Sequence, residues 1–300
     1  MWQQFFIDAI PQNAESGVYD YRLVVLSYII ATLASYTAFN SATQLISAEK
    51  RQRWLWHVGG AFSLGGGIWS MHFIGMLAFN MRMAMEYDIG LTILSLVVAW
   101  AVAFAALAVV RRPLLKFRHI ALSAMLLGIG ICAMHYTGMA SMQMDGNIRY
   151  LPGIFFLSVA IAIFASAAAL WLLFTLSRSE HRWRKHMITA SAFVMGAAIC
   201  GMHYTGMVGT VFIPWADCRF DTNQDFDQLA MIVAAISIFS LLSTHFIGGI
   251  INFFDRRDIS RRVFAHLTAL LTLLMVLVLS SFMFIVNALK DQNRDNLNVT

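Results

Sequence analysis

The hexapeptide MHYTGM occupies residues 134–139 and recurs unchanged at residues 202–207. A looser copy, MHFIGM, occupies residues 71–76 and keeps both methionines, the histidine and the glycine. Each copy lies in a long apolar segment, so all three are predicted to lie on helices. On a helix, the histidine and the second methionine are four positions apart and face the same side. The sequence therefore places an imidazole next to a thioether three times.

The similarity extends beyond the hexapeptides, which indicates a repeated unit larger than one helix. A glycine stands seven positions before each histidine and an isoleucine stands four positions before it: Gly65, Gly128 and Gly196, with Ile68, Ile131 and Ile199. A Leu-Ser pair occurs further upstream, with its serine 40 or 45 residues before the histidine: Leu26-Ser27, Leu94-Ser95 and Leu157-Ser158. We therefore predict a helical hairpin used three times, with the three motif helices parallel and their histidines at similar depth.

The composition is that of an integral membrane protein. Hydrophobic residues make up 59% of the 300 residues and charged residues 12%, and the mean hydropathy is +0.67. Eight apolar spans are each long enough to cross a bilayer: Leu23–Ala48, Trp54–Met81, Ile89–Val110, His119–Met144, Tyr150–Ser177, His186–Ala216, Gln228–Phe254 and Val263–Leu289. The predicted fold is all-α, a polytopic membrane helical bundle with a seven-helix unit of three hairpins plus one helix, followed by an eighth transmembrane helix.

The basic residues predict the orientation of the spans. Of the 21 lysines and arginines, 15 lie in the four alternate connections that follow the first, third, fifth and seventh spans. By the positive-inside rule these connections are cytoplasmic, the N-terminus is outside and the motif histidines lie near the outer leaflet. The net charge of +5 therefore reflects topology, and no basic patch with interleaved aromatics suggests nucleic-acid binding.

The motif chemistry suits a soft metal ion. Neutral imidazole and thioether ligands favour Cu(I) over Mg²⁺ or Ca²⁺, and structural zinc is disfavoured because the usual cysteine-rich tetrads are missing. The candidate metal ligands are Met71, His72, Met76, Met134, His135, Met139, Met202, His203 and Met207. Two cysteines, Cys132 and Cys200, could add sulfur ligands. Of the 18 methionines, 11 lie in or just beyond the motifs, including Met81, Met83, Met85, Met142 and Met144.

Two other interpretations of the motif residues concern packing and catalysis. A single His and Met on an apolar helix is usually a packed core pair, but three copies at matched depth favour function because polar groups within a membrane are costly. Every acidic or basic side chain lies in a connection or at a span edge, which disfavours an ion-coupled pump. The sequence has no phosphate-binding loop, nucleophile elbow or kinase signature, so we expect no catalytic activity in this chain.

The motif residues, in three alternate helices of a seven-span unit, resemble the MHYT-domain family of bacterial membrane sensors. The resemblance covers about residues 20–256, with Phe73 and Ile74 as departures in the first copy. It implies a multi-pass sensory domain in the bacterial cytoplasmic (inner) membrane, usually fused to an output domain. It also implies that Met and His of each motif hold copper near the outer face and that the site senses O2, CO or NO.

The expected organisation has three parts. Residues 1–21 form an extracytoplasmic lead-in, residues 22–256 the seven-helix MHYT-like sensor domain, and residues 257–300 a cytoplasmic connector, the eighth helix and a polar outer tail. We expect the natural chain to continue past residue 300. Expected partners are the bilayer, a metal ion, a diatomic gas, an output signalling domain and, in a homodimer, a second copy of the chain.

Three questions stay open at the level of sequence. One alternative to copper sensing is a haem or diatomic-gas protein with two of the histidines as axial ligands. Another is a copper carrier or permeation protein, which the methionine-rich outer ends favour. The repeats indicate that the histidines are level, but whether the three helices share one metal site or hold three separate sites is not determined.

Overall fold

The structure, a computed structural model, describes residues 5–49, 52–81, 85–110, 117–177 and 182–215, and residues 232–240 except 234 and 238. Six long helices are described: α1 Tyr21–Ser47, α2 Gln52–Leu77, α3 Ile89–Val110, α4 Phe117–Ala140, α5 Pro152–Ser177 and α6 Arg184–Val208. Six short strands lie between them: β1 Val18–Tyr19, β2 Phe79–Asn80, β3 Met85–Tyr87, β4 Met142–Met144, β5 Gly146–Tyr150 and β6 Thr210–Pro214. The all-α membrane bundle with repeated hairpins is thereby confirmed.

The strands form three antiparallel pairs, β1 with β2, β3 with β4 and β5 with β6. Each pair joins the start of one hairpin to its end, so the repeated unit is strand, helix, helix, strand. All three pairs lie at the same end of the bundle, which we call the strand end. The sequence predicts that the motif helices continue through these residues, and the structure shows strands instead. Methionine, phenylalanine and valine are apolar, so hydropathy does not distinguish a helix from a strand here.

An aspartate precedes the first helix of the first two hairpins. The Asp20 carboxylate accepts a hydrogen bond from the backbone N–H of Arg22 at 2.8 Å, and Asp88 Oδ1 accepts one from the backbone N–H of Leu91 at 2.7 Å. The third hairpin begins with Pro152, whose ring fixes φ for the first helical turn.

The end of each motif helix is tied to the start of its own hairpin by one backbone hydrogen bond. The donor and acceptor pairs are equivalent in the three units: Asp20 N to Ala78 O at 2.8 Å, Asp88 N to Ser141 O at 2.7 Å, and Leu151 N to Gly209 O at 2.8 Å. The repeat seen in sequence is therefore also a repeat in space.

Helices that are neighbours in sequence pack together, and α1 also packs on α6, which closes the bundle. The three glycines seven positions before the histidines lie where each motif helix meets the first helix of another hairpin. A Cβ added there would lie within 3.0 Å of the backbone: Gly65 against Ala99, Gly128 against Ile163 and Gly196 against Thr32. These glycines therefore allow the helices to approach closely.

Five of the described helices, all except α2, are long and apolar enough to cross a membrane. Helix α2 is of similar length, but its glycines, serines and histidines lower its hydropathy. Most of its side chains are buried among the other helices, so α2 does not need an apolar surface towards lipid.

The described part of residues 232–240 is helical and contacts α2 through Phe239, whose ring lies 6.4 Å from that of Phe62. The rest of the predicted seventh span, the eighth span and the polar tail lie outside the described residues.

Candidate metal centre

The three motif histidines meet in the middle of the bundle. Each lies five residues before the end of its helix, and His72, His135 and His203 are all fully buried. Their Nδ1 atoms form a triangle with sides of 3.1 Å (His72–His135), 3.1 Å (His72–His203) and 3.3 Å (His135–His203). The ring centroids are 4.9–5.1 Å apart and the rings nearly perpendicular, so the Nδ1 atoms point inward.

Hydrogen bonding cannot satisfy this triangle. An imidazole Nδ1 either carries a proton or presents a lone pair, so at least two of the three atoms must be in the same state. That pair consists of two donors or two acceptors in close contact, whatever tautomers are chosen. A cation on the axis of the triangle would satisfy all three lone pairs at once.

The size of the triangle fits a small metal ion. A point equidistant from the three Nδ1 atoms lies about 1.8 Å from each, slightly inside the ~2.0–2.1 Å of a zinc–imidazole bond, which serves as the reference. The three Nδ1 atoms are therefore close to the spacing at which His72, His135 and His203 would together hold one small ion.

The far nitrogen of each imidazole lies against a motif glycine of another helix. His72 Nε2 faces Gly138, His135 Nε2 faces Gly206, and His203 Nε2 faces Gly75. A Cβ at Gly206 would lie 2.6 Å from His135 Nε2, and the other two would lie closer still. None of the three Nε2 atoms has a hydrogen-bond partner within the part of the chain that the structure describes. The glycine of each hexapeptide therefore makes room for the ring of a motif histidine from another helix.

The second methionines form a separate group at the strand end. Met76, Met139 and Met207 belong to one buried cluster, which we call the methionine cluster. Its other buried members come from the strand end: Met81, Met85, Met142 and Phe212. Met83 lies outside the described residues. The predicted outward neighbours of the histidines are thus brought together, and further methionines join them.

The first methionine of each motif packs elsewhere among the described residues. Met71 and Met134 belong to the main apolar core with Trp69, and Met202 packs against Cys132. Both described cysteines are free and buried. The group of potential metal ligands found among the described His, Cys, Asp and Glu residues contains the three histidines and neither cysteine.

A hydrogen bond between hairpins holds the residue next to the histidine in two repeats. Tyr136 and Ser158 share a hydrogen bond of 2.7 Å between their hydroxyls, and Tyr204 and Ser27 one of 2.9 Å. The serines are those of the repeated Leu-Ser pairs. Each lies on the first helix of a different hairpin from the tyrosine.

The first repeat makes the same connection with a different donor. Phe73 replaces the tyrosine and has no hydroxyl, but Trp69 Nε1 donates to Ser95 Oγ at 2.9 Å. Trp69 stands where the other repeats have Cys132 and Cys200. The replacement of the tyrosine by Phe73 and that of the cysteine by Trp69 are both visible in the sequence. Only the hydrogen bond from Trp69 to Ser95 shows that the second replacement makes up for the first.

The strand end adds neutral aromatic groups to this region. Burial, together with the neighbouring Tyr204, raises the pKa of Tyr19 to about 12. Burial also raises the pKa of Tyr150, whose ring lies 5.1 Å from that of Tyr136. Both phenols therefore stay uncharged at physiological pH.

Comparison with known proteins gives one family and several signalling relatives. The MHYT family model, described as a bacterial signalling protein N-terminal repeat, matches residues 65–123 and 128–186. The chain is 47% identical over 223 residues to MucR of Pseudomonas aeruginosa, a bifunctional diguanylate cyclase/cyclic di-GMP phosphodiesterase, covering 73% of this chain and 32% of MucR. No solved structure matches.

Two further relatives have the same pattern of coverage. The cyclic di-GMP phosphodiesterase NbdA of Pseudomonas aeruginosa is 38% identical over 218 residues, 72% of this chain and 28% of NbdA. The signalling protein YkoW of Bacillus subtilis is 36% identical over 235 residues, 76% of this chain and 29% of YkoW. The chain thus spans about a third of the length of the curated relatives it matches.

Proposed function

The chain belongs to the MHYT family of bacterial membrane signalling proteins, and we propose that it is a non-catalytic sensory domain that holds one copper ion at the three-histidine centre. The observation that carries the proposal is the triangle of Nδ1 atoms, which hydrogen bonds cannot satisfy and a cation can. Copper(I), when bound, supplies a soft, redox-active centre with affinity for diatomic gases.

The roles of the predicted ligands differ in this proposal. His72, His135 and His203 hold the ion through Nδ1. The second methionines, Met76, Met139 and Met207, lie one turn further towards the strand end and would supply thioether ligands. The first methionines, Met71, Met134 and Met202, pack the helices that carry the histidines. One shared site is favoured over three separate sites, because the three Nδ1 atoms lie only 3.1–3.3 Å from one another.

A diatomic gas has an apolar space next to the centre. A cavity of about 70 Å³ lies among all six long helices. Ile68, Ile131 and Ile199 line it, and each stands one helical turn before a motif histidine, or about 6 Å along the axis. Apolar cavities of this kind stay dry and take up small apolar molecules. This supports the sensing of O2, CO or NO over the sensing of a hydrated ion.

The same cavity disfavours a permeation path. Its described lining is almost entirely apolar, with two thioethers, Met195 and Met202, as the soft-metal ligands. An ion leaving the histidines in this direction would lose its ligands in a low-dielectric space. Haem is disfavoured as well, because nitrogens 3.1–3.3 Å apart leave no width for a porphyrin between them.

Signalling would follow from the way the centre joins three helices. One ion ties α2, α4 and α6 together near the strand end, so a change in its ligands biases the packing of all three at once. We propose that an output domain reads this change, with the strand end on the outer side of the bacterial inner membrane and the N-terminus outside.

Copper analysis of the purified protein tests the proposal. We expect each of H72A, H135A and H203A to bind about one copper per chain fewer than the wild-type protein. His57→Ala is a matched control, because His57 is also buried on α2 but donates to the Phe104 carbonyl at 2.9 Å. Copper content unchanged by the three motif variants would refute the site, and a Soret band in the visible spectrum would favour haem.

A further inference from the structure

The methionine cluster is built from two different sources. Met76, Met139 and Met207 come from the repeated motif, whereas Met81, Met85 and Met142 come from the segments beyond it at the strand end. All six side chains are at most 8% exposed and pack in one cluster. The six are a third of the 18 methionines of the chain.

The strand-end methionines are not part of the threefold repeat. Nine positions after the motif histidine, the first two repeats have Met81 and Met144, and the third has Phe212. The β3–β4 pair brings together methionines from the start and the end of the second hairpin, because its register places Met85 opposite Met144. The strand-end thioethers of the cluster therefore come from the first two units, and Phe212 of the third unit packs against them.

The cluster offers one kind of ligand. Its described members are thioethers and aromatic or aliphatic side chains, with no carboxylate, imidazole or thiol among them. Thioethers bind soft monovalent ions such as Cu(I) and Ag(I) and do not compete with water for hard cations. The cluster also lies one turn from the histidine triangle, on the strand-end side.

We propose that the methionine cluster is a second soft-metal site, which takes up a monovalent ion at the strand end and passes it to the three-histidine centre. This rests on the proposed function for the role of the receiving centre, but not for the existence of the second site. Met81, Met85 and Met142 hold the ion first, and the motif methionines lie between them and the histidines. The ion moves as Cu(I) from one ligand set to the next, so no oxidant or reductant is needed.

Silver(I) is the probe, because it is soft, monovalent and not oxidised under these conditions. We expect the purified protein to bind two Ag(I) per chain by native mass spectrometry. The variant H72A/H135A/H203A keeps one, and the variant M81L/M85L/M142L also keeps one and loads Cu(I) into the histidine centre at least tenfold more slowly. Methionine-to-leucine changes nearly conserve volume, so the fold is expected to survive.

A second leucine variant, M125L/M187L, is the control. Both methionines are exposed and lie outside the cluster, so two Ag(I) and normal loading are expected. The inference is overturned if M81L/M85L/M142L binds two Ag(I) and loads at the normal rate, or if the triple-histidine variant binds none. A triple-histidine variant that binds two would instead refute the histidine centre and leave the methionine site standing.

X-ray absorption at the silver edge gives a second test. In the wild-type protein at two equivalents of Ag(I), the averaged first shell is expected to contain more sulfur scatterers per silver than in M81L/M85L/M142L at one equivalent. An equal ratio of sulfur to nitrogen scatterers in the two samples would also overturn the inference.

Discussion

Replacing Gly206 with alanine places a methyl group against the imidazole of His135, a residue of another helix. The Cβ would lie 2.6 Å from Nε2, 3.3 Å from Cδ2 and 3.4 Å from Cε1 of that ring. Ordinary contact begins at 3.4 Å, so the ring must retreat by about 0.8 Å, whereas metal-ligand distances are held within about 0.2 Å. The substitution therefore moves the His135 ring away from the metal centre, although His135 itself is not replaced.

The expected magnitudes follow from this displacement. Copper(I) affinity falls at least tenfold, or about 1.4 kcal/mol, which is the lower end of what residues that orient metal ligands contribute. Overpacking costs the fold about 1–3 kcal/mol, partly offset by the ~0.5–1 kcal/mol that alanine gains over glycine in a helix. Chelator competition measures the first quantity, and thermal unfolding in detergent measures the second.

Gly201→Ala is the matched control on the same helix. A Cβ at Gly201 meets nothing within 4 Å among the described residues, so this variant keeps its copper affinity and gains a little stability. Wild-type copper affinity in G206A would refute the conclusion that the motif glycine makes room for the histidine ring.

The crossed geometry allows a sharper test by double substitution. Once His135 is alanine, the methyl group of G206A has lost its obstacle, so G206A in the H135A background is expected to stabilise the protein. In the H203A background it remains destabilising, because the His203 ring lies against Gly75 and not against Gly206. Equal effects in both backgrounds would show that Gly206 does not contact the His135 ring in preference to the His203 ring.

Further predictions concern the contacts around the centre. Tyr136→Phe and Ser158→Ala are each expected to cost about 1 kcal/mol, and their effects on thermal unfolding should not add, because both remove one hydrogen bond. Trp69→Phe is expected to destabilise the fold by a similar or larger amount through its lost bond to Ser95, and additivity with S95A would contradict this. Ala103→Leu, which fills the apolar cavity at a cost of about 1–3 kcal/mol, is expected to keep copper and to weaken CO binding measured by infrared spectroscopy. Unchanged CO affinity would argue against the cavity as the place for the gas.

The helices, their hairpin repeat and the equal depth of the histidines followed from the sequence. The lengths of the apolar segments and the spacing of the motifs can both be read along the chain. The contact between the histidines did not follow. Hydrophobic periodicity fixes which face of a helix is buried, but the rotation that brings three faces together is set by close packing at Gly65, Gly128 and Gly196. The repeat of these glycines is visible in the sequence, but the residues that they pack against are not.

The strand end was missed for a local reason. The residues after each motif are mostly apolar, and in the first two repeats no proline or glycine stands between the motif and the strand. Their pattern therefore does not separate a helix from a strand. Pairing with the start of the hairpin decides the outcome, and that partner is some 60 residues away in sequence. The same pairing brings Met85 and Met142 to the methionine cluster, where sequence spacing alone could not place them.

The departures of the first repeat show how function constrains the three units together. Phe73 alone would suggest a degenerate copy, yet Trp69 restores the bond to the serine of the next hairpin. Each motif helix gives a histidine to the centre, a glycine to another helix's histidine and a hydrogen bond to another hairpin. No hairpin can complete its part alone, so the centre forms only when all three have packed. A bound ion would therefore stabilise the packed bundle as one unit, by about 2.7 kcal/mol at a free concentration 100 times its Kd. In a variant lacking any one of the three histidines, that metal-dependent gain is expected to disappear entirely and not to fall by a third.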